Sequence, residues 1–208
     1  MNAGWPVDLR EGDVELRPIR ARDQRSWQEV SRRNRDWLRR WEATVPPAPA
    51  GRSAMPRPTY RQMVRYLRGE AGAGRMLPFV VLHRGTLVGQ LTVGGITWGS
   101  MCSANVGYWI DEDVAGLGIM PTAVALAVDH CFLDLGLHRI EVCIRPENRP
   151  SRRVVEKLGF REEGLRPRYL HIDGDWRDHL VYALTAEEVP EGLMPRWRAI
   201  RNRRRPVN

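Results

Sequence analysis

The sequence predicts a single mixed α/β domain of the α+β type, and three observations carry that reading. Residues 77–110 hold three strand-like stretches joined by connections short enough to require antiparallel pairing. After residue 120, helix-like and strand-like stretches alternate. No internal repeat divides the 208 residues, and a chain of this length buries about 70% of its unfolded surface around one core.

Val14, Leu16 and Ile19 nearly alternate with polar residues around Pro18, which predicts a short first strand. Helical text follows over 22–33 and 34–41, with Asp23 and Asn34 as N-caps. Pro46, Pro47, Pro49, Pro56 and Pro58 make the next segment a loop, because proline neither donates to a helix ladder nor permits helix before it. Thr59 caps a helix to about Ala71, with Met63, Tyr66 and Leu67 on one side. Strands are expected at 77–83, 87–96 and 104–110, the first two joined at Arg84-Gly85. Val124, Val128, Cys131, Phe132 and Leu135 mark a helix stripe over 121–135, with Pro121 in the first turn and Gly136 at the stop. A strand at 139–144 precedes a helix at 151–158, begun by Ser151 and ended by Gly159. A hairpin of 160–171 with 176–184 closes the sheet.

The composition, 42% hydrophobic and 28% charged, is that of an ordinary globule and excludes collagen-like and wholly disordered classes. No apolar run approaches membrane-spanning length, and the first residues lack the basic start and apolar stretch of a secretory signal, so a cytoplasmic protein is expected. Cys102, Cys131 and Cys143 are too few and too far apart for a disulfide framework or a zinc clip, and read as reduced thiols; no metal is implied. Six arginines (Arg196, Arg198, Arg201, Arg203, Arg204 and Arg205) and no acid fall within 195–208, leaving two of the eight net positive charges for the rest of the chain. Such a run is a solvated tail or a contact with RNA or an acidic surface.

Two segments carry chemistry. Strand 105–110 runs into Ala115-Gly116-Leu117-Gly118-Ile119-Met120 and a helix. Glycines at a helix entrance bring backbone amides close to a ligand, and those amides with the helix dipole suit a phosphate. Gly-x-Gly alone equally describes an ordinary strand-to-helix turn. The second segment, Glu147-Asn148-Arg149-Pro150-Ser151, directly follows strand 140–144. Ser151 as N-cap and Gly159 as stop explain the helix, leaving Asn148 to hydrogen-bond a ligand held between two parallel strand ends.

Together these segments resemble the GNAT acyltransferase superfamily, in which a glycine-rich turn after a splayed strand holds the pyrophosphate of acetyl-CoA and an Asn-x-x-Ser segment meets its pantetheine arm. Within it the chain is similar to the RimJ/RimL-type acetyltransferases of ribosomal-protein N-termini. The supporting text includes Leu16-Arg17-Pro18, the Trp37/Trp41 pair, residues 105–111, His138-Arg139-Ile140-Glu141, Lys157-Leu158-Gly159-Phe160 and Ile172-Asp173-Gly174-Asp175-Trp176-Arg177-Asp178-His179. The resemblance implies a mostly antiparallel sheet with a splayed central pair and flanking helices, a catalytic domain over 10–185 and a basic tail over 186–208. It also implies acetyl-CoA as co-substrate, bound by Tyr108, Trp109, Ile110, Gly116, Leu117, Gly118, Ile119, Met120, Thr122, Asn148, Ser151 and Arg153. Two positions depart from the superfamily pattern: Ala115 stands where Arg or Gln is usual, and Met120 where Gly or Ala is. These remove a phosphate partner, and Pro121 removes an amide donor, so Arg152 or Arg153 is expected to supply charge.

The implied reaction is direct attack of a neutral amine on the thioester. A protein N-terminal amine is already about a tenth to a fifth neutral at pH 7, whereas a lysine amine must give up about 3.5 kcal/mol more. A modest base therefore suffices. Glu141 is the candidate, acting directly or through water, against the alternative that it pairs with an arginine such as Arg139 or Arg145. Ser151 is the expected acid for the leaving thiolate, with Tyr169 as a second candidate. Asp178 and His179 are neighbours on a strand and point to opposite faces, which argues against a dyad. Trp37, Trp41, Tyr169 and His171 are expected at the acceptor, with the proline-rich segment 46–58 over it. Two other readings are a small-amine (polyamine or aminoglycoside) acetyltransferase, disfavoured by the arginines of the early region, and a ribosome- or RNA-binding assembly factor that has lost efficient catalysis.

Overall fold

The computed structural model describes residues 4–47 and 58–203. One eight-stranded sheet in the order β1-β2-β3-β4-β5-β6-β8-β7 forms its centre. The strands are β1 (Leu9–Glu11), β2 (Val14–Pro18), β3 (Leu77–His83), β4 (Thr86–Thr97), β5 (Ser103–Ile110), β6 (Arg139–Ile144), β7 (Arg161–Ile172) and β8 (Asp175–Thr185). The helices are α1 (Gln24–Arg33), α2 (Arg35–Arg39), α3 (Tyr60–Gly72), α4 (Ile119–Asp129), α5 (Arg149–Leu158) and α6 (Leu193–Arg203). Every neighbouring pair is antiparallel except β5 and β6.

That parallel pair positions the site. Its ladder holds only at Ser103↔Arg139, Ala104↔Ile140 and Asn105↔Glu141, after which the strands part. β5 remains paired to β4 as far as Ile110, and β6 to β8 as far as Ile144, so the open edges beyond Asn105 and Glu141 face each other across a V. The main core lies on one face, where Val106, Ile140 and Val142 meet α4, α5 and α6. α4 is apolar nearly all round, as a helix covered on every side must be. A smaller core under α1 and α3 gathers Val30, Tyr60, Val64 and Leu67.

Several local expectations change in three dimensions. Asp23 does not cap α1 through its side chain; it is buried, accepts from Arg17 at 2.8 Å, and turns back to the Arg20 amide at 2.8 Å, closing the 3-10 turn before the helix. Asn34 likewise turns away from α2, because a better set of partners lies across the fold: its amide donates to Asp111 at 2.7 Å and the Val30 carbonyl at 3.0 Å, and its oxygen accepts from the Glu112 amide at 2.9 Å. Arg33 also binds Asp111. These contacts tie α1 and α2 to the end of β5, above the glycine turn. Thr59 does cap α3, but the buried face is Tyr60, Val64, Leu67 and Ala71, leaving Tyr66 exposed. Of the proline-rich segment, residues 48–57 lie outside the described residues.

The arginine-rich end is the largest correction. α6 is part of the fold, with Leu193, Met194 and Trp197 buried against the core, because these apolar residues recur at helical spacing between the arginines. Arg196 and Arg198 are engaged inside the chain, with the Leu158 and Glu188 carbonyls and with Glu11. Arg204 and Arg205 lie outside the described residues. Among the described residues no helix is long and apolar enough to cross a membrane. All three cysteines are free, and burial pushes the Cys131 thiol up to about 12.

Candidate active site

Three cavities meet at Tyr108 and Trp41. The largest, about 440 Å³, runs from these rings past Trp37 and Asn148 to the glycine turn, with Arg153 and Lys157 on its α5 wall. The second, about 210 Å³, fills the V between β5 and β6 and reaches Cys143, Ser151 and His179. The third, about 310 Å³, opens toward α1 between Trp27, Leu38, Glu42 and Gln90.

The glycine turn is built by its backbone. Gly116 and Gly118 take φ values of +88° and +82°, the left-handed region that other residues enter at a cost of about 1 kcal/mol or more. Gly118 is the N-cap of α4, and the first helical bond is Thr122 N–H to the Gly118 carbonyl. The amides of Ile119 and Met120 therefore precede the helical ladder, while Pro121 has none. An electropositive helix end with Arg153 and Lys157 alongside fits a phosphate-bearing ligand, which Ala115 does nothing to help. Arg152 turns away to the Tyr182 hydroxyl at 3.0 Å and the Pro146 carbonyl at 3.3 Å.

Every residue expected to bind the coenzyme lines the large groove except Leu117 and Thr122. Leu117 is 66% exposed and points outward. Thr122 is buried, and its hydroxyl donates to the Gly118 carbonyl at 2.9 Å and accepts from the Trp197 indole at 2.8 Å, so it faces α6.

Asn148 and Ser151 exchange the parts assigned to them. Asn148 is the N-cap of α5, its oxygen accepting from the Ser151 amide at 3.2 Å, because α5 starts two residues earlier than expected. The Ser151 hydroxyl is thereby freed. It donates to the Tyr108 oxygen at 3.0 Å, while the Tyr108 hydroxyl donates to the Ser151 carbonyl at 3.3 Å. Burial raises the Tyr108 phenol well above its ordinary range, so it stays protonated.

Three other expected residues are not brought into these cavities. Glu141 lies on the face of β6 opposite Ile140, Val142 and Ile144, where Arg139 and Arg166 each donate to it at 2.9 Å. Tyr169 sits at the rim, edge-on to His179 at 5.6 Å and under Arg166 at 5.1 Å. His171 is buried, its Nδ1 2.8 Å from the Thr44 hydroxyl. It anchors the strap that carries Trp41 over the site, which also bridges Ala43 to Ile172. Trp37 and Trp41, expected side by side at the acceptor, both line the large groove, and Trp41, beyond the end of α2, alone of the two also lines the other cavities.

His179, and not Glu141, lines the V. Its Nδ1 is 3.0 Å from the Arg177 carbonyl, which can only accept, so Nδ1 carries the proton and Nε2 keeps its lone pair. Burial, opposed by that carbonyl and aided by the charge of Arg145, holds the imidazole below its ordinary pKa. It is neutral at neutral pH. Asp178 points elsewhere, accepting from the Arg168 amide at 2.8 Å across a bulge in β7. Glu42 and Gln90 in the third cavity carry no sequence signal. Lys157 was legible as the i+4 neighbour of Arg153.

Residues 13–161 match the acetyltransferase (GNAT) domain, and the chain belongs to that family. Among solved structures it is similar to Mycobacterium smegmatis RimJ in complex with CoA-disulfide, at 42% identity over 94% of this chain and 95% of that one, with a TM-score of 0.84. It is also similar to the ribosomal-protein-S5-alanine acetyltransferase of Vibrio fischeri, at 27% identity over 86% and 96% of the two chains and a TM-score of 0.75. In sequence it is 43% identical over 98 residues to the probable N-acetyltransferase YjcK of Bacillus subtilis, covering 47% of this chain and 54% of that protein. It is 33% identical over 106 residues to the ribosomal protein uS5-alanine N-acetyltransferase of Escherichia coli, covering 51% and 55%. The chain spans about half the length of these two relatives.

Proposed function

We propose that the chain acetylates the α-amine of a protein N-terminus, plausible acceptors being ribosomal proteins, with acetyl-CoA as donor and direct attack in a ternary complex. One observation carries the reading: a groove suited to a phosphate-bearing chain and a separate aromatic cavity converge on Tyr108, the hydrogen-bond partner of Ser151. The ribosomal acceptor is supported by the likeness to the Escherichia coli and Vibrio fischeri alanine acetyltransferases of ribosomal protein S5. A cytoplasmic setting goes with it.

Acetyl-CoA supplies a thioester that an amine opens, a C–N bond forming as the C–S bond breaks and a thiol leaves. The amides of Ile119 and Met120, with Arg153 and Lys157, bind the phosphates. Trp27, Trp41 and Leu38 wall the acceptor cavity, and Glu42 favours arrival of an ammonium group. Nε2 of His179 takes the proton that the amine loses. Ser151, held by Tyr108, gives a proton or hydrogen bond to the departing sulfur, and Tyr108 can replace it. Glu141 is left as a structural ion pair.

The test is thiol release with two peptides of equal charge, one with a free α-amine and no lysine, the other N-blocked with a single lysine. The free α-amine is expected to be turned over at least tenfold faster. Preference for the lysine peptide, or for a polyamine, would move the acceptor class elsewhere.

A further inference from the structure

α6 lies beyond the residues that match the family, yet its contacts lead into the coenzyme turn. Three of them fasten it. Asp129, the last residue of α4, accepts from the amides of Leu193 and Met194, capping one helix with the end of another. Arg196 donates to the Leu158 carbonyl at the end of α5 at 3.3 Å and to the Glu188 carbonyl at 2.8 Å. Arg198 forms a bidentate pair with Glu11 of β1, at 2.8 and 2.6 Å. Gly159, at the end of α5, lies directly under the Arg196 guanidinium, so α6 and the stop of α5 are in contact.

A fourth contact points at the site. The Trp197 indole N–H donates to Thr122 Oγ1 at 2.8 Å, and that hydroxyl donates its one proton to the Gly118 carbonyl at 2.9 Å. The ring also lies 3.5 Å from where a Cβ on Gly118 would stand. The Gly118 carbonyl belongs to the same peptide plane as the Ile119 amide, so fixing one direction fixes the other. The backbone bond to that carbonyl, from Thr122 N–H, is the longer at 3.3 Å.

We propose that Trp197 is a positioning residue for the acyl-coenzyme groove, acting through Thr122 to orient the Gly118–Ile119 peptide whose N–H meets the ligand's phosphates. This rests on the coenzyme reading above. It makes the arginine-rich end a brace for catalysis. Pro121 sharpens the need, because few first-turn amides are available and misaiming one loses a large share of them.

The experiment compares Trp197→Phe, which keeps an aromatic side chain but loses the N–H along with the second ring, with Thr122→Val, which removes the hydroxyl at nearly constant volume, and Thr122→Ser. Trp197→Phe and Thr122→Val are expected to raise the Kd for CoA and the KM for acetyl-CoA by about three- to tenfold, the effect of one lost hydrogen bond. The kcat and the KM for the acceptor peptide should stay within twofold, and Thr122→Ser should restore the coenzyme KM. A lowered melting temperature with unchanged coenzyme KM in both variants would overturn the proposal, as would equal losses for coenzyme and peptide. Failure of the unaltered chain to bind CoA would instead refute the coenzyme reading itself.

Discussion

The hydroxyls of Ser151 and Tyr108 form a reciprocal pair: the serine side chain donates to the phenol oxygen, and the phenol donates to the serine's own carbonyl. Tyr108 lines all three cavities and Ser151 two of them, so in the proposed reaction a proton on either oxygen would be available to a leaving sulfur. Replacing Ser151 with Ala should lower kcat by about 10²-fold with little change in either KM, the usual effect of removing a positioned acid. Tyr108→Phe should cost less, since Ser151 then turns to solvent or substrate. Single-turnover rates measured with a saturating peptide check both, and undiminished rates in the double variant would exclude the pair from chemistry.

The His179 assignment has a signature in pH. A base must be neutral to act, and burial lowers the pKa of this imidazole from its ordinary value, so its contribution is present at neutral pH and lost as pH falls through the lowered value. The acceptor amine titrates separately near 8. A plot of log kcat/KM against pH should therefore rise with slope two at the acid end and slope one between the two values. His179→Gln should be about 10² slower and keep slope one throughout, whereas a profile identical to that of the unaltered chain would remove His179 from the mechanism.

Asp111 predicts acid sensitivity of a particular kind. Burial would raise its pKa, but hydrogen bonds from Arg33 and Asn34 prevail and hold it below 3.8; Asp23 is likewise lowered, by Arg17 and the Arg20 amide against its burial. A depressed carboxylate stabilises the fold above its unfolded pKa, and that contribution disappears as pH drops through the folded value. The melting temperature should hold from pH 7 to about 5 and fall below about 4. Asp111→Ala, which strands the buried Asn34 amide, should cost about 1–3 kcal/mol at pH 7 and flatten the acid limb. Thermal melts across pH decide it.

Arg153 and Lys157 line the groove, and in the proposed function they supply the charge that Ala115 does not. Arg153→Ala should weaken CoA by about three- to tenfold at low salt, and the deficit should shrink as ionic strength rises and screens the interaction. Titrations at two salt concentrations measure it, and a deficit independent of salt would place Arg153 outside the phosphate contact.

Much of this was legible in the sequence. Gly116 and Gly118 before an apolar helix, and Asn148 three residues before Ser151, marked the two walls of the groove once the family resemblance joined them, although the cap proved to be Asn148 and not Ser151. What stayed hidden depends on contacts distant in the chain. The pairing of Glu141 with Arg139, two residues away, was one of the sequence's own alternatives, but the second pairing, with Arg166 across β8 and 25 residues later, was not. His179 gains its role from the V of β5 and β6 and the proton held at the Arg177 carbonyl, neither of which neighbouring residues encode. The arginines of 196–203 masked the apolar spacing of Leu193, Trp197 and Ile200, so a packed helix read as a charged tail.

The central claim is that the groove below the Gly118 turn holds an acyl-coenzyme, and calorimetric titration with acetyl-CoA, against free CoA and ATP, tests it most directly. The account predicts one site per chain with micromolar affinity, retained by CoA and at least tenfold weaker for ATP, which lacks the pantetheine arm. No heat at millimolar acetyl-CoA, or equal binding of ATP, would contradict it.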